Sequence, residues 1–165
     1  MRLYHGSNMA FRDVDLSVCR PNKDFGQEFY LAPDRIAAER LAKRTVRRFG
    51  GKACLMTFEF DEALLADVPV KRFQRPTEEW AMFVMANRRP QIAAADHNRD
   101  NRYGMVVGPV ANDDLALLFR QFALGLVTGE ILVREMRFKQ LTIQYSFHTP
   151  LAVSALKFVG VDDVY

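Results

Sequence analysis

Hydrophobic and polar positions change period several times along the chain. Residues 2–5 read as a short opening strand, and 9–25 as a loop with scattered polar positions and Pro21. Residues 28–31 predict a second short strand. Pro33 then suits the first turn of a helix, where its missing N–H costs nothing. Ala38, Leu41, Ala42, Thr45 and Phe49 recur at helical spacing and predict an inward stripe, and Gly50-Gly51 stops that helix. Residues 54–60 are continuously apolar enough for a buried strand. Thr77 is placed to cap a helix over 78–87, whose first turn carries Glu78 and Glu79 as the helix dipole favours. Residues 91–103 are polar and read as irregular, and 105–107 as a short strand ending in Gly108-Pro109. Asn112-Asp113-Asp114 caps a further helix that Gly125 ends, and Thr128 caps another through about Phe138. Over 141–148 the pattern has period two. Leu141, Ile143, Tyr145 and Phe147 share one face; Thr142, Gln144, Ser146 and His148 share the other. A short helix over 150–156 and a last strand over 158–161 complete the reading.

Strands at both ends and in the middle, with helices at irregular intervals, predict an α+β fold rather than regular βαβ winding. The 165 residues suit a single domain over 1–165. A hydrophobic content of 49%, with 13 Phe, 5 Tyr and 1 Trp, supplies a real core and argues against disorder. The longest apolar runs, 115–119 and 122–127, fall far short of the ~20 residues that span a bilayer, so no membrane association is expected. The opening MRLYHG lacks the apolar stretch of a signal peptide, which predicts a cytoplasmic protein.

The net charge of +3 permits an anionic ligand without demanding nucleic acid. The basic residues are unevenly spread: Arg35, Arg40, Lys43, Arg44, Arg47 and Arg48 crowd one helix against Glu39. That run reads as a solvated helix face or as a phosphate or nucleic-acid contact. Cys19 and Cys54 are isolated and read as two reduced thiols. His5, His97 and His148 are scattered, so no metal site is expected.

Three segments set polar groups among aromatics: LYHGS at 3–7, KDFGQEFYL at 23–31 and QYSFHT at 144–149. With EEW at 78–80, Asn87-Arg88 and GPVAND at 108–113, they resemble the ADP-ribosyltransferase superfamily. More narrowly, they are similar to a bacterial family of unknown function within it, in the same motif order over nearly the whole chain. The resemblance implies a split β-sheet with flanking helices around an NAD cleft, and a His-Tyr-acid type of triad with Gln in the acid position. It implies that His5 binds a ribose of NAD, that the Gly6 backbone holds the nicotinamide carboxamide, and that Tyr30 stacks on the nicotinamide ring. Gln144 falls where many relatives place a catalytic Glu that reaches the 2′-hydroxyl of the nicotinamide ribose. Ser7, Gly26, Phe25 and Phe29 are expected to line the ligand, with the two phenylalanines flanking Tyr30. Arg20 and Lys23 are placed to meet the pyrophosphate, because guanidinium and ammonium groups pair well with phosphate oxygens.

The chemistry accounts for these residue types. Breaking the glycosidic bond of NAD makes an oxocarbenium-like sugar and a neutral nicotinamide. A catalyst must orient the ring and favour positive charge at the sugar. An aromatic face stacks on nicotinamide, and glycine permits close backbone approach. Gln144 offers a dipole where a carboxylate would offer a charge. One departure from the family pattern bears on this: Glu28 stands where the family has Gly. In a strand Glu28 and Tyr30 point to the same side, so Glu28 either supplies the missing carboxylate, crowds NAD, or faces solvent at a strand edge.

The expected function is an NAD-consuming enzyme that transfers ADP-ribose to a protein or nucleic-acid acceptor, or hydrolyses NAD. Small free-standing bacterial relatives are often toxins, which implies a neutralising partner protein. The competing expectations are an NAD-binding module without turnover and a basic nucleic-acid-binding domain. Trp80 and Phe83, one helical turn apart, read as core. His148 and Thr149 precede Pro150 and read as caps of the last helix.

Overall fold

The computed structural model describes residues 1–89, 91, 96–137, 139 and 141–165. The fold is α+β, with two sheets. β1 (Arg2–Ser7), β3 (Cys54–Phe60) and β7 (Leu156–Asp163) form an antiparallel sheet in the order β1-β3-β7. β2 (Phe29–Leu31), β6 (Ile143–Phe147), β5 (Met105–Pro109) and β4 (Val70–Arg72) form the second, in the order β2-β6-β5-β4, with β4 and β5 parallel. The two sheets touch edge to edge where Tyr4 and Ala32 exchange both backbone hydrogen bonds at 2.8 Å.

α1 (Arg35–Phe49) lies against β1. It begins one cap later than Pro33 predicts. The Asp34 carboxylate accepts from the Ile36 N–H at 2.9 Å and so satisfies one of the helix's orphan donors, leaving Pro33 outside. The buried stripe is also narrower than predicted, with Ala38 and Ala42 buried and Phe49 50% exposed. Gly6 explains the narrowing. A Cβ on Gly6 would sit 1.9 Å from the Ala38 carbonyl oxygen, so the helix rides on β1 at backbone distance and only alanine fits beneath it. Phe49 instead carries the guanidinium groups of Arg20 and Arg48 over its ring, at 4.7 and 5.1 Å. Arg35 is held by Glu39 and Asp162, while Arg40, Lys43, Arg44, Arg47 and Arg48 form an exposed cationic face.

α2 (Glu78–Arg88), α3 (Asp113–Ala123) and α4 (Gly129–Arg137) cover one face of the second sheet through Trp80, Phe83, Leu115, Phe119, Leu132 and Met136, packed with Val106 of β5. Thr77 and Asn112 cap α2 and α3 as expected, and Thr149 caps α5 (Pro150–Val153). The other face of this sheet, through Phe29, Leu31, Met105, Val107 and Phe147, meets Leu3, Met56, Phe58 and Phe60 of the first. The second sheet is therefore covered on both sides. β4 is a departure from the sequence reading: Val70-Lys71-Arg72 has no alternation, yet it pairs with 105–107 of β5. β2 begins at Phe29, leaving Glu28 just outside it, and β7 runs longer than predicted at both ends. The predicted helix end at Phe138, and positions 92–95 of the predicted irregular stretch, lie outside the described residues. Cys19 and Cys54 are free thiols, and no described helix is long and apolar enough to cross a membrane.

Candidate functional site

The site grows from the point where β1 and β2 part. Tyr4 turns its backbone toward Ala32, so by strand alternation Gly6 turns its own toward the same edge. A continued antiparallel ladder would pair Gly6 with Tyr30. Instead the His5 side chain occupies that place, with Nδ1 2.8 Å from the Tyr30 carbonyl oxygen. A carbonyl only accepts, so Nδ1 carries the proton and Nε2 presents a bare lone pair. Burial lowers the His5 pKa to about 4, the nearby Lys23 charge adds to the effect, and the imidazole is neutral at physiological pH. Its ring centroid lies 4.8 Å from that of Phe29, 5.5 Å from Phe11 and 5.3 Å from Tyr30. Tyr30 is half-buried with Lys23 Nζ 5.9 Å from its ring centroid. Burial, then the neighbouring Glu28, pushes its phenol up to about 12.

Behind this seam sits a buried hub. Asp24 Oδ1 accepts from Arg88 Nε at 2.9 Å and Nη2 at 2.6 Å, while Oδ2 accepts from the Ala111 N–H at 2.8 Å and from Gln144 Nε2 at 3.3 Å. Arg88 Nη2 also donates to the Ala111 carbonyl at 2.7 Å, and Trp80 Nε1 donates to the Pro109 carbonyl at 3.1 Å. Asn87 Oδ1 accepts from the Asn98 N–H at 2.8 Å, and Asn98 in turn closes on Tyr103. The DFG, EEW, Asn-Arg, GPVAND and QYSFHT segments thus meet in one hydrogen-bonded assembly.

Beside the hub lies a group of unpartnered polar atoms. Among the described residues, Glu28 Oε2, Ser146 Oγ and His148 Nε2 are buried without a partner at hydrogen-bond length. Tyr30 pairs with Ser146 across β2 and β6, and the same register carried one step on sets Glu28 opposite His148. His148 Nδ1 lies 3.0 Å from the Gln27 carbonyl oxygen, so it too is the protonated nitrogen. Burial lowers the His148 pKa to about 4. Burial and the Asp24 charge raise Glu28 to about 8.

Several expectations are corrected. Phe25 does not flank Tyr30: it is fully buried in the helix-side core, with ring centroids 6.2 Å from Phe73 and 6.0 Å from Phe83. Gly26, at φ 109°, turns the chain back after it, and a Cβ there would lie 3.0 Å from the Asn98 carbonyl oxygen. The face of β6 that carries Gln144 is a covered one. Gln144, Ser146 and His148 are all buried, because α2–α4 cover that side. Glu28 does not face solvent either, being 5% exposed. Arg20 is exposed, with its guanidinium over the Phe49 ring on α1. Phe29 faces the inter-sheet core between His5 and Phe58, and the Ser7 hydroxyl accepts from the Met9 N–H at 3.4 Å. Thr149 caps α5, whereas His148 reaches Gln27. The Asp24–Arg88 pair went unpredicted, although a charge beside Phe25-Gly26 and another closing an apolar helix both mark it. A concavity of about 530 Å³ bordered by Arg2, Glu59, Leu64 and Lys157 includes neither His5 nor Tyr30.

A family model described as a protein of unknown function, DUF3990, matches residues 1–158. The chain belongs to the DUF3990 family. No curated protein and no solved structure matches it. In this DUF3990 chain the matched span contains every residue of the seam, the hub and the unpartnered group.

Proposed function

We propose that this DUF3990 chain is an enzyme of the ADP-ribosyltransferase type, which breaks the nicotinamide–ribose bond of NAD and passes ADP-ribose to a macromolecular acceptor or to water. The observation that carries the reading is the His5 imidazole seated where the β1–β2 ladder would continue. Its ring takes the Tyr30 carbonyl that a continued ladder would give to Gly6, and in this reading the Gly6 backbone and the Tyr30 ring are the two walls of the nicotinamide site. A neutral His5 with a free Nε2 lone pair is an acceptor for a ribose hydroxyl. Tyr30 offers a nicotinamide platform, and Gly6 offers backbone groups to the carboxamide. Lys23 stands by as a cation for the pyrophosphate. Two sheets meeting at one bridged edge suit the split sheet of that superfamily. The acceptor is a protein side chain or a nucleic acid, and the exposed cationic face of α1 suits a phosphate-bearing one. A toxin-like role in the cytoplasm with a neutralising partner protein fits the same resemblance.

In the reaction the C1′–N bond of NAD breaks and its electron pair leaves with nicotinamide. The acceptor oxygen or water then bonds to C1′. His5→Ala and Tyr30→Ala are each expected to lower nicotinamide release by ~10²-fold or more, as loss of one preorganised group does in other enzymes. Absence of NAD binding at millimolar concentration would overturn the reading. A second reading, an NAD-binding module without turnover, is favoured by one observation: Gln144 brings no charge and donates its amide to Asp24. Calorimetric binding of NAD without nicotinamide release would select it.

A further inference from the structure

We propose that Glu28 is the catalytic carboxylate of this site, in the role that Gln144 does not fill; the proposal rests on the NAD reading above. Two carboxylates are buried near Tyr30, and they differ in one respect. Asp24 has both oxygens occupied, by Arg88 on one side and by Ala111 and Gln144 on the other. Glu28 has an oxygen, Oε2, with no partner at ordinary hydrogen-bond length among the described residues, while the Ser146 hydroxyl stands close enough to favour its charge. A buried oxygen without a partner is costly, and in native proteins it marks a group kept for another purpose or for a missing ligand. Glu28 lies two residues before Tyr30, just outside β2, and is close enough to it for its charge to act on the Tyr30 phenol. In the proposed complex the ribose of a nicotinamide stacked on Tyr30 lies beside Glu28.

The unpartnered neighbours fit the role. Ser146 Oγ and His148 Nε2 are the other two orphaned atoms of the same patch. A hydroxyl can donate to the ionised carboxylate, and the neutral His148 Nε2 can accept from the protonated one. In the step itself, the C1′–N bond breaks with both electrons going to nicotinamide, while the Glu28 carboxylate faces the positive charge developing at C1′. The acceptor O–H oxygen then bonds to C1′, and its proton passes to Glu28 and on to solvent. Glu28 must therefore be ionised at the start. Burial and Asp24 oppose that, whereas Lys23, Arg88 and the nearby Ser146 hydroxyl favour it. The nicotinamide cation would favour it further. Tyr30, His148 and the Cys19 thiol, which burial and Glu28 push up, are uncharged at neutral pH.

The test compares the full chain with Glu28→Gln and Ser146→Ala, using NAD itself as ligand and substrate. Glu28→Gln is expected to bind NAD by calorimetry with little change while nicotinamide release falls ~10²–10³-fold. In the parent protein kcat/KM for NAD should climb with pH until about 8, the ionisation of Glu28. Ser146→Ala should move that limb to higher pH, because it removes a group that favours the charge; a merely structural serine would leave the limb in place. Turnover by the parent with Glu28→Gln equally active overturns the Glu28 assignment alone. NAD binding by the parent without turnover overturns it as well, leaving the binding module. Failure of the parent to bind NAD overturns both this assignment and the functional reading.

Discussion

Arg88→Ala is expected to destabilise the fold by about 3 kcal/mol in urea unfolding, near the low end for breaking a buried ion pair. The cost falls on what remains. Asp24 is 8% exposed, and without Arg88 its Oδ1 would lose both donors while staying out of water. The Ala111 carbonyl would lose a donor too. The Arg88 side chain keeps 29% of its surface in solvent, which holds the cost below that of a fully enclosed pair. Asp24→Asn should not rescue it. Both Asp24 oxygens face donors, so one amide N–H₂ would be forced against Arg88 or against Ala111 and Gln144. Replacing both partners together, Asp24→Leu with Arg88→Met, should cost less than Arg88→Ala alone, because no buried charge is then left unpaired. A single-variant cost under about 1 kcal/mol would place the pair among ordinary surface bridges.

That hub also explains which parts of the molecule were legible in the sequence. Local signals worked where the decisive physics is local. The 54–60 run became β3 with the predicted bounds, and the caps at Thr77, Asn112 and Thr149 rest on hydrogen bonds within three residues. The motifs announced that positions 24, 80, 88, 111 and 144 mattered, but not that they meet. Their contacts cross as many as 120 residues, and no periodicity encodes them. The alternation over 141–148 was correctly divided into two faces, yet alternation cannot say which face is covered. The cover on the Gln144 side comes from helices elsewhere in the chain. The solvent-facing reading of Glu28 fails for the same reason. Beside Gln27 it looks like an edge residue, and its burial follows from β6, which pairs with β2 from the far end of the sequence. The α1 stripe failed through one residue, since Gly6 lets the helix approach too closely for Phe49 to pack inward.

Stability against urea is expected to peak near pH 6.5, and the sign follows from three groups shielded from water to different degrees, Glu28 and His148 buried and His5 half-buried. His5 and His148 have their pKa lowered from 6.5 to about 4, and Glu28 has its own raised from 4.5 to about 8. Between pH 4.5 and 6.5 the unfolded chain gains protons on two histidines that the folded protein leaves neutral, while the folded protein keeps one on Glu28 that the unfolded chain has lost. The unfolded state then holds the larger number, so stability rises with pH. Well above pH 6.5 the histidines are neutral in both states. Glu28 alone still differs, the folded state now holds the extra proton, and stability falls until its ionisation near pH 8 is complete. One proton changes stability by about 1.4 kcal/mol per pH unit, and with the unfolded chain's histidines still losing protons just above pH 6.5 the alkaline limb amounts to about 1 kcal/mol. Glu28→Gln should flatten that limb and steepen the acid one, because the compensating proton is gone and both histidines still have to charge. This measurement needs no NAD, so it reports on the buried carboxyl whether or not the protein turns substrate over. A parent profile that stays level between pH 6.5 and 8 would mean that water reaches Glu28 in the folded protein, and its unpartnered Oε2 would then have an ordinary partner.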